Sequence, residues 1–282
     1  KVVITLVDGT ANTLSDGTSY EYADGEDEPD ATLFVKNNLT INGTGSLNID
    51  SNYATAIKAK DNLIILDSKI NIDSVGKAIK GKDSVTIENA NITINAEDDG
   101  ITTDGAMVIN SGNINIEKAG EGLEGVTIDI NGGNIDITAT DDGINARGLI
   151  DDSATDAEKE AYGEENQADT YLKITGGTVN INASADGIDS NGQVYIDGGT
   201  VYVSGATSGP DVALDYNGKA VITGGTFVST GVQEMAQTFD SSSTQNFITV
   251  YYDSAVAAGS EIKVTDKDGN TVLSYNADKE FT

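Results

Sequence analysis

The sequence predicts an all-β fold, a right-handed single-stranded parallel β-helix with coils of about 22 residues. Three observations support this prediction. A motif of a short alternating strand, an acidic turn and an apolar residue returns along the chain. Three columns of apolar residues share its period, and the composition combines 32 glycines with 2 prolines and only 6% aromatic residues. Such a balance is typical of short strands separated by tight turns.

The repeat is clearest at the apolar residue that follows each turn. Successive members of this column are 22, 22, 22, 21, 44 and 26 residues apart. The step of 44 contains a polar stretch without alternation at 149–169, which we interpret as an insertion with a short helix. The column consists of Ile57, Ile79, Ile101, Leu123, Ile144, Ile188 and Leu214.

Two further columns have the same period and imply three faces in each coil. One consists of Ile49, Ile72, Ile94, Ile116, Ile137, Ile181 and Val203. The other consists of Ile41, Ile65, Ile87, Ile109, Ile130, Ile174, Ile196 and Ile222. Because side chains alternate along a strand, one face of each strand points inward. A single coil cannot bury that face, so coils must stack at about 4.8 Å with right-handed connections.

The chain is predicted to be one domain, 1–282, with distinct ends. Residues 1–32 do not follow the coil period and contain an acidic stretch, so we interpret them as an N-terminal cap. Coils are expected over 33–230. The remaining residues, 231–282, read as a C-terminal cap in which Asp268 and Gly269 form a hairpin turn.

Charge and composition restrict the classes of partner. With 16 Lys+Arg and 46 Asp+Glu the formal charge is −30, and there is no histidine or cysteine. Such a surface repels nucleic acids and anionic membranes. No apolar run approaches the roughly 18 residues of a membrane span. Motifs for phosphate loops, nucleotide folds and nucleophile elbows are absent. We expect a secreted or cell-surface, extracellular monomer.

The acidic turns are the feature that indicates chemistry. The residue before the turn glycine is acidic in four successive coils, and stacked carboxylates about 4.8 Å apart repel by about 3.5 kcal/mol at an effective dielectric near 20. Calcium takes 6 to 8 oxygen ligands, and no His or Cys favours a transition metal. The alternative is a hydrated acidic surface without an ion. The predicted metal ligands are Asp98, Asp99, Asp104, Glu121, Glu124, Asp141, Asp142, Asp186 and Asp189.

Two other groups of residues are candidates for roles at this surface. Lys118 and Arg147 are the basic residues near the acidic turns, and either is a catalytic base or simply compensates charge. Four tyrosines gather in the last coils and suggest a strip on which sugars stack, or else ordinary surface residues of a strand. They are Tyr171, Tyr195, Tyr202 and Tyr216.

The acidic N-terminal stretch, the coils AIKAKDNLII and AIKGKDSVTI, and the turns AEDDGI and ATDDGI resemble the secreted carbohydrate-binding β-helix family of clostridia and related plant-fibre bacteria. This resemblance covers nearly the whole chain. It implies calcium binding and attachment to plant cell-wall polysaccharide, pectic polygalacturonate and also cellulose, without hydrolysis. The chain is more distantly similar to calcium-dependent pectate lyases, in which a Lys or Arg abstracts a proton; Lys118 would take that part here.

Three functions remain open at this point. The first is a non-catalytic, calcium-dependent polysaccharide-binding protein. The second is a pectate lyase that acts by β-elimination, with Lys118 or Arg147 as the base. The third is a structural surface adhesin in which calcium only stiffens the stack.

Overall fold

The computed structural model describes residues 1–149, 154–155, 157, 162–163 and 165–282. The strands of the first four coils are β1 (Val2–Thr5), β2 (Ala11–Ser15), β3 (Ala31–Val35), β4 (Leu39–Asn42), β5 (Ser46–Ser51), β6 (Thr55–Ala59), β7 (Asn62–Leu66), β8 (Lys69–Ser74), β9 (Ile79–Gly81), β10 (Ser84–Glu88), β11 (Ala90–Ala96) and β12 (Ile101–Thr102). They are followed by β13 (Ala106–Ile109), β14 (Gly112–Ala119), β15 (Leu123–Gly125), β16 (Thr127–Ile130), β17 (Asn134–Ala139) and β18 (Ile144–Ala146). The last are β19 (Tyr171–Ile174), β20 (Thr178–Ala183), β21 (Ile188–Ser190), β22 (Gln193–Ile196), β23 (Thr200–Ser204), β24 (Lys219–Ile222), β25 (Thr226–Thr230), β26 (Glu261–Thr265) and β27 (Thr271–Asn276).

Three parallel sheets form the faces of a β-helix with about nine turns. Sheet 1 has the order β1-β4-β7-β10-β13-β16-β19-β22-β24, and sheet 2 the order β2-β5-β8-β11-β14-β17-β20-β23-β25. Sheet 3 has seven strands, β21-β18-β15-β12-β9-β6-β3, and β26 and β27 form an antiparallel hairpin. The predicted fold class is confirmed. Its right-handed sense stays a prediction from the preference of parallel crossovers.

The core is a stack of the three predicted apolar columns. Ile101 pairs with Ile79 and Leu123, and Ile144 pairs directly with Ile188, so the step of 44 is one coil with an insertion. Ile144 and Ile188 are fully buried, as are most of their column neighbours. Each fully buried aliphatic side chain contributes about 1.5–3 kcal/mol of hydrophobic stabilisation. The repetition of one residue type per column thus produces both the register and the core.

Asparagine side chains form a ladder on the solvent side of sheet 2. The Asn113 side-chain amide donates to Asn91 Oδ1 at 2.7 Å, and the Asn134 amide donates to Asn113 Oδ1 at 2.9 Å. These residues occupy the same position in successive strands. The ladder therefore adds hydrogen bonds between coils along the stack axis.

Five glycines lie in or next to the turns that follow the buried apolar residue of their coils, and none of them has a positive φ. They are Gly105, Gly125, Gly148, Gly192 and Gly218. Positive φ occurs instead at glycines that immediately precede sheet 2, such as Gly133 (96°). A Cβ on Gly105 or Gly192 would collide with a backbone carbonyl of the adjacent coil, of Asp83 or Thr170 respectively. Close approach of neighbouring coils excludes a side chain there.

The ends of the stack differ in how far they follow the coil pattern. The N-terminal cap predicted over 1–32 contains the first coil: β1 pairs with β4, and β2 pairs with β5, both in parallel. The long acidic loop after β2 hides this coil from a period search. The insertion at 149–169 lies mostly outside the described residues, and so does its predicted helix. The last coil strand, β25, ends at Thr230, where the C-terminal segment 231–282 begins.

Among the described residues, no helix combines the length and apolar character needed to cross a membrane.

Candidate metal centre

The acidic turns stack as one column at the entrance to sheet 3. Backbone N–H groups of the turn glycines donate to the acidic residue of the next coil: Gly100 to Glu121 O (2.9 Å), Gly122 to Asp142 O (3.0 Å) and Gly143 to Asp186 O (2.9 Å). A Cβ on Gly143 would lie 2.5 Å from Gly187 O and would also collide with Ile181. Glycine thus allows the coils to approach so closely that the carboxylates stack. The column reads Lys77, Asp99, Glu121, Asp142, Asp186 and Val212.

Three aspartates of this column also bind the backbone of the next coil. Asp99 Oδ1 accepts the Glu121 N–H at 3.1 Å, Asp142 Oδ1 accepts the Asp186 N–H at 2.9 Å, and Asp186 Oδ1 accepts the Val212 N–H at 2.5 Å. One oxygen of each carboxylate is therefore fixed. The longer Glu121 instead accepts a hydrogen bond from the Asn145 side chain at 3.1 Å.

A second column runs across the strands of sheet 3, beside the first. It consists of Thr102, Glu124, Asn145 and Asp189, which pair in register across β12, β15, β18 and β21. Carboxylate oxygens of Asp99, Glu121 and Glu124 all lie within 4.8 Å of one another. We call these three residues the acidic triad. It joins two adjacent coils, as the sequence predicts.

Several buried oxygens around the acidic triad have no hydrogen-bond partner. They are Glu121 Oε2, Asn145 Oδ1 and Thr102 Oγ1. Thr102 is 3% exposed and Asn145 is 6% exposed. The Asn145 amide nitrogen donates to Glu121 Oε1 at 3.1 Å, so its side chain lies against the triad. A buried polar atom without a partner costs about 1–3 kcal/mol, and three together indicate a position built for a ligand.

Burial and mutual repulsion raise the pKa of four carboxyls in the two columns. The pKa of Asp142 rises to about 8, chiefly through burial and then through Asp189 and Asp186. Burial, followed by the charge of Glu124, raises the pKa of Glu121 to about 7. The pKa values of Asp189 and Asp186 rise to about 7 and about 6, again mainly through burial. Bare charges are thus unfavourable at these positions at neutral pH.

Two basic side chains contact the acidic triad. Lys77 forms an ion pair with Asp99, and its Nζ lies 3.9 Å from Glu124. Arg147 forms an ion pair with Glu124. Arg147 was predicted at this patch, but Lys77 was missed. Lys77 occupies the position of Asp99 one coil earlier in the same column. That shared position is the signal in the sequence that could have identified it as a neighbour of the triad.

Other predicted ligands lie at the edge of the centre. Asp104 pairs with Lys80 at 2.9 Å, away from the triad. Asp98 and Asp141 each immediately precede a residue of the turn column, and both are exposed. Asp98 lies 3.9 Å from Lys77.

Lys118 lies outside the acidic triad. A constant coil length would set it beside the inward alanines of other coils, but β14 contains an irregularity and Ala119 is the residue that pairs with Ala139. Lys118 pairs with Asn95, points outward and binds Glu97 at 2.5 Å. The extra residue in the strand shifts the register by one, which a fixed spacing cannot reveal.

The four predicted tyrosines do not form one strip. Tyr171 and Tyr195 are neighbours on sheet 1, with ring centroids 6.4 Å apart. Tyr202 lies on sheet 2, where Tyr275 of the C-terminal hairpin stacks on its ring at 4.9 Å. Tyr216 follows the column beside sheet 3 and packs against the core. Only Tyr171 and Tyr195 share a sheet, so closeness in the sequence did not translate into one surface.

The donor set fits a hard divalent cation. All the candidate ligands are carboxylate, amide or hydroxyl oxygens, and they come from adjacent coils. Calcium accepts such oxygens in flexible geometry and tolerates both side-chain amides and carboxylates. Acidic residues that are buried, close together and supplied with additional unpartnered oxygens meet this requirement.

Comparison with known proteins places the chain in a family. A family model described as carbohydrate-binding domain-containing protein matches residues 1–212. The chain belongs to this family. A carbohydrate-binding domain-containing protein of Acetivibrio thermocellus is 34% identical over 73 residues, which is 26% of this chain and 26% of that relative. A solved polysaccharide lyase-like protein from C. thermocellum, a gadolinium derivative, shares 25% identity with a TM-score of 0.45, over 80% of this chain and 100% of that one.

Proposed function

We propose that this protein is an extracellular, non-catalytic carbohydrate-binding protein that attaches to acidic plant cell-wall polysaccharide through calcium. Family membership supports a carbohydrate ligand. The observation that carries the calcium part is the acidic triad with the unpartnered oxygens of Glu121, Asn145 and Thr102 around it. Cellulose, which the sequence resemblance also implies, is a second polysaccharide to test.

The chain's own residues define how such an ion would be held. Asp99, Glu121 and Glu124 would supply carboxylate oxygens, with Asn145 Oδ1 and Thr102 Oγ1 as neutral ligands. Asp142, Asp186 and Asp189 continue the same oxygen-lined face toward the next coils. Calcium, when bound, supplies positive charge that can be shared with carboxylates of a ligand. This sharing lets a chain of charge −30 bind a polyanion.

Affinity electrophoresis in gels containing polygalacturonate tests the proposal. We expect retardation in calcium and free migration after chelation, because removal of the cation leaves two polyanions that repel each other. The control gel contains a neutral polymer. Equal retardation with and without chelator would rule out the calcium bridge, and retardation by cellulose alone would redirect the ligand assignment.

We further propose that the chain does not cleave its ligand. Both candidate bases are engaged, Lys118 with Glu97 and Arg147 with Glu124. We expect no unsaturated oligouronide after long incubation with polygalacturonate and calcium at alkaline pH. Accumulation of that product, and its loss in the variant Lys118→Ala, would instead establish β-elimination.

A further inference from the structure

A group of lysines lies on the outer face of sheet 3, next to the metal centre. Lys58 and Lys80 pair in register across β6 and β9, and Lys60 and Lys82 follow each of them by two residues and so lie on the same side. We call these four residues the lysine patch. They are four of the 16 basic residues of a chain with 46 acidic ones. Positive charge is thus concentrated where the overall field is negative.

The lysine patch and the acidic triad are parts of one continuous surface. Lys80 pairs with Thr102, and Thr102 pairs with Glu124, so all three side chains occupy one column along the stack. A linear ligand that lies along the stack axis on this face would meet lysines at one end and the metal centre at the other. Its carboxylates could be neutralised at both.

Three carboxylates of the chain itself now occupy the lysine patch: Asp104 binds Lys80 at 2.9 Å, and the other two belong to the loop before β3. Residues 16–30, which we call the acidic loop, connect β2 and β3. Asp30 binds Lys58 at 2.6 Å, and Glu28 binds Lys60 at 2.5 Å. The two acids are spaced by one residue, as their lysine partners are. The loop therefore presents carboxylates to the patch in the same arrangement in which the patch presents its ammonium groups.

The two ion pairs are only part of what holds the acidic loop, because the rings of Tyr20 and Tyr22 also pack against Tyr53 of the next coil. Asp30 Oδ1 is buried without a hydrogen-bond partner, so this carboxylate is only partly satisfied. The Lys60 side chain is 37% exposed, and ion pairs of this kind contribute little to stability. Loops of about 12 to 15 residues without regular structure are uncommon unless they serve a function. Hydrogen bonds tie the loop at both ends, from the Asn52 N–H to Asp16 Oδ1 at 2.6 Å and from the Thr55 N–H to Asp30 O at 3.3 Å, but no strand pairing fixes its middle.

We propose that the lysine patch is a second binding site for a carboxylated sugar chain, independent of calcium, and that the acidic loop covers it with Glu28 and Asp30 as internal substitutes for the ligand's carboxylates. The inference rests on the proposed carbohydrate-binding function and extends it along sheet 3. Displacement of residues 28–30 exchanges two ion pairs for two equivalent ones and also breaks the hydrogen bonds from Tyr22 to Pro29 O and from the Thr55 N–H to Asp30 O. A ligand that contacts several lysines at once can offset this loss.

The test is affinity electrophoresis in polygalacturonate with chelator present, at an ionic strength of about 0.01 M, where charges act over ~30 Å. The variant E28Q/D30N removes both loop carboxylates. Its matched control, D24N/E26Q, makes the same change in net charge within the same loop, at residues that form no salt bridge in the described part of the chain. We expect E28Q/D30N to bind about 3- to 5-fold more tightly than the control.

A further variant, K58Q/K60Q in the E28Q/D30N background, should lose this gain. Equal binding of E28Q/D30N and D24N/E26Q would overturn the proposal, and so would a gain that survives removal of the lysines. If E28Q/D30N does not melt cooperatively, the single variant E28Q is compared with E26Q instead. Because chelator silences any calcium bridge, this result is independent of whether wild-type protein needs calcium to bind.

Discussion

At the scale of single residues, Glu121 is the carboxyl of the candidate metal centre whose environment is best defined. One of its oxygens accepts a hydrogen bond from Asn145, and the other is buried without a partner. Burial and the charge of Glu124 raise its pKa to about 7. A carboxylate held this way is unfavourable for the isolated protein. It is favourable once a cation is present, because the same burial that penalises a lone charge strengthens its attraction to an opposite one.

Substitution of Glu121 should therefore have opposite effects in the two states. We expect E121Q to melt at a higher temperature than wild type in chelator, because a buried charge is removed. Calcium affinity should fall roughly tenfold or more, because a charged ligand is lost. Thermal denaturation and calcium titration measure both. The control E88Q makes the same change at an exposed position of sheet 1 and should alter neither.

The raised pKa values predict how stability depends on pH without calcium. A carboxyl whose pKa is higher in the folded than in the unfolded state binds its proton more tightly when folded. Its stabilising contribution is present below the unfolded value near 4 and is lost as pH rises through the folded value. With folded values of about 6 to 8 for Asp186, Glu121, Asp189 and Asp142, stability in chelator should fall between about pH 4 and pH 8.

Melting curves across that range, with and without calcium, check this dependence. Calcium should make stability less dependent on pH, because the bound cation neutralises the carboxylates that protons neutralise at lower pH. A rise in stability from pH 4 to pH 8 in chelator would show that these carboxyls are not under the strain that the fold implies.

At the scale of the element, the repeating unit is a coil whose glycine turn brings the acidic residues together. Gly143 follows Asp142 and precedes Ile144, so one tripeptide supplies a stacked carboxylate, a close approach of the coils and a core residue. The sequence predicted the three columns and the acidic stack, because both depend only on regular spacing. It did not predict the strand irregularity at Lys118, the coil hidden before the acidic loop or the separation of the tyrosines. Each of these depends on a local change in register or on a distant segment such as the one carrying Tyr275.

The variant Gly143→Ala tests this close approach. Its Cβ would meet Gly187 O at 2.5 Å as well as the side chain of Ile181. We expect a loss of about 1–3 kcal/mol in the free energy of unfolding, with weaker calcium binding, because the coils must separate. Denaturant unfolding and calcium titration report the two effects. In Gly17→Ala the nearest heavy atom, Ser19 O, is 3.6 Å away, so little change is expected; equal losses in both variants would contradict the packing argument.

At the scale of the whole molecule, stability is the sum of small interactions between neighbouring coils along the stack axis. Each coil interacts chiefly with its neighbours, so an ion held between coils stabilises those on either side. The excess of negative charge acts in the other direction, because self-repulsion opposes a compact stack. A divalent cation bound at the acidic triad would relieve part of this repulsion.

Calcium should accordingly raise the melting temperature of the complete chain. Ligand present at 100 times its dissociation constant stabilises a protein by about 2.7 kcal/mol. Scanning calorimetry in calcium, against sodium chloride of matched ionic strength, separates specific binding from screening. An equal rise in both salts would mean that only general screening operates.

The most direct test is a crystal structure of the protein soaked in calcium, with the ion located by its anomalous scattering. We expect an ion about 2.3–2.6 Å from carboxylate oxygens of the acidic triad, with Asn145 Oδ1 or Thr102 Oγ1 among its ligands. Carboxylates of Asp99, Glu121 and Glu124 that contact only water at saturating calcium would contradict the account.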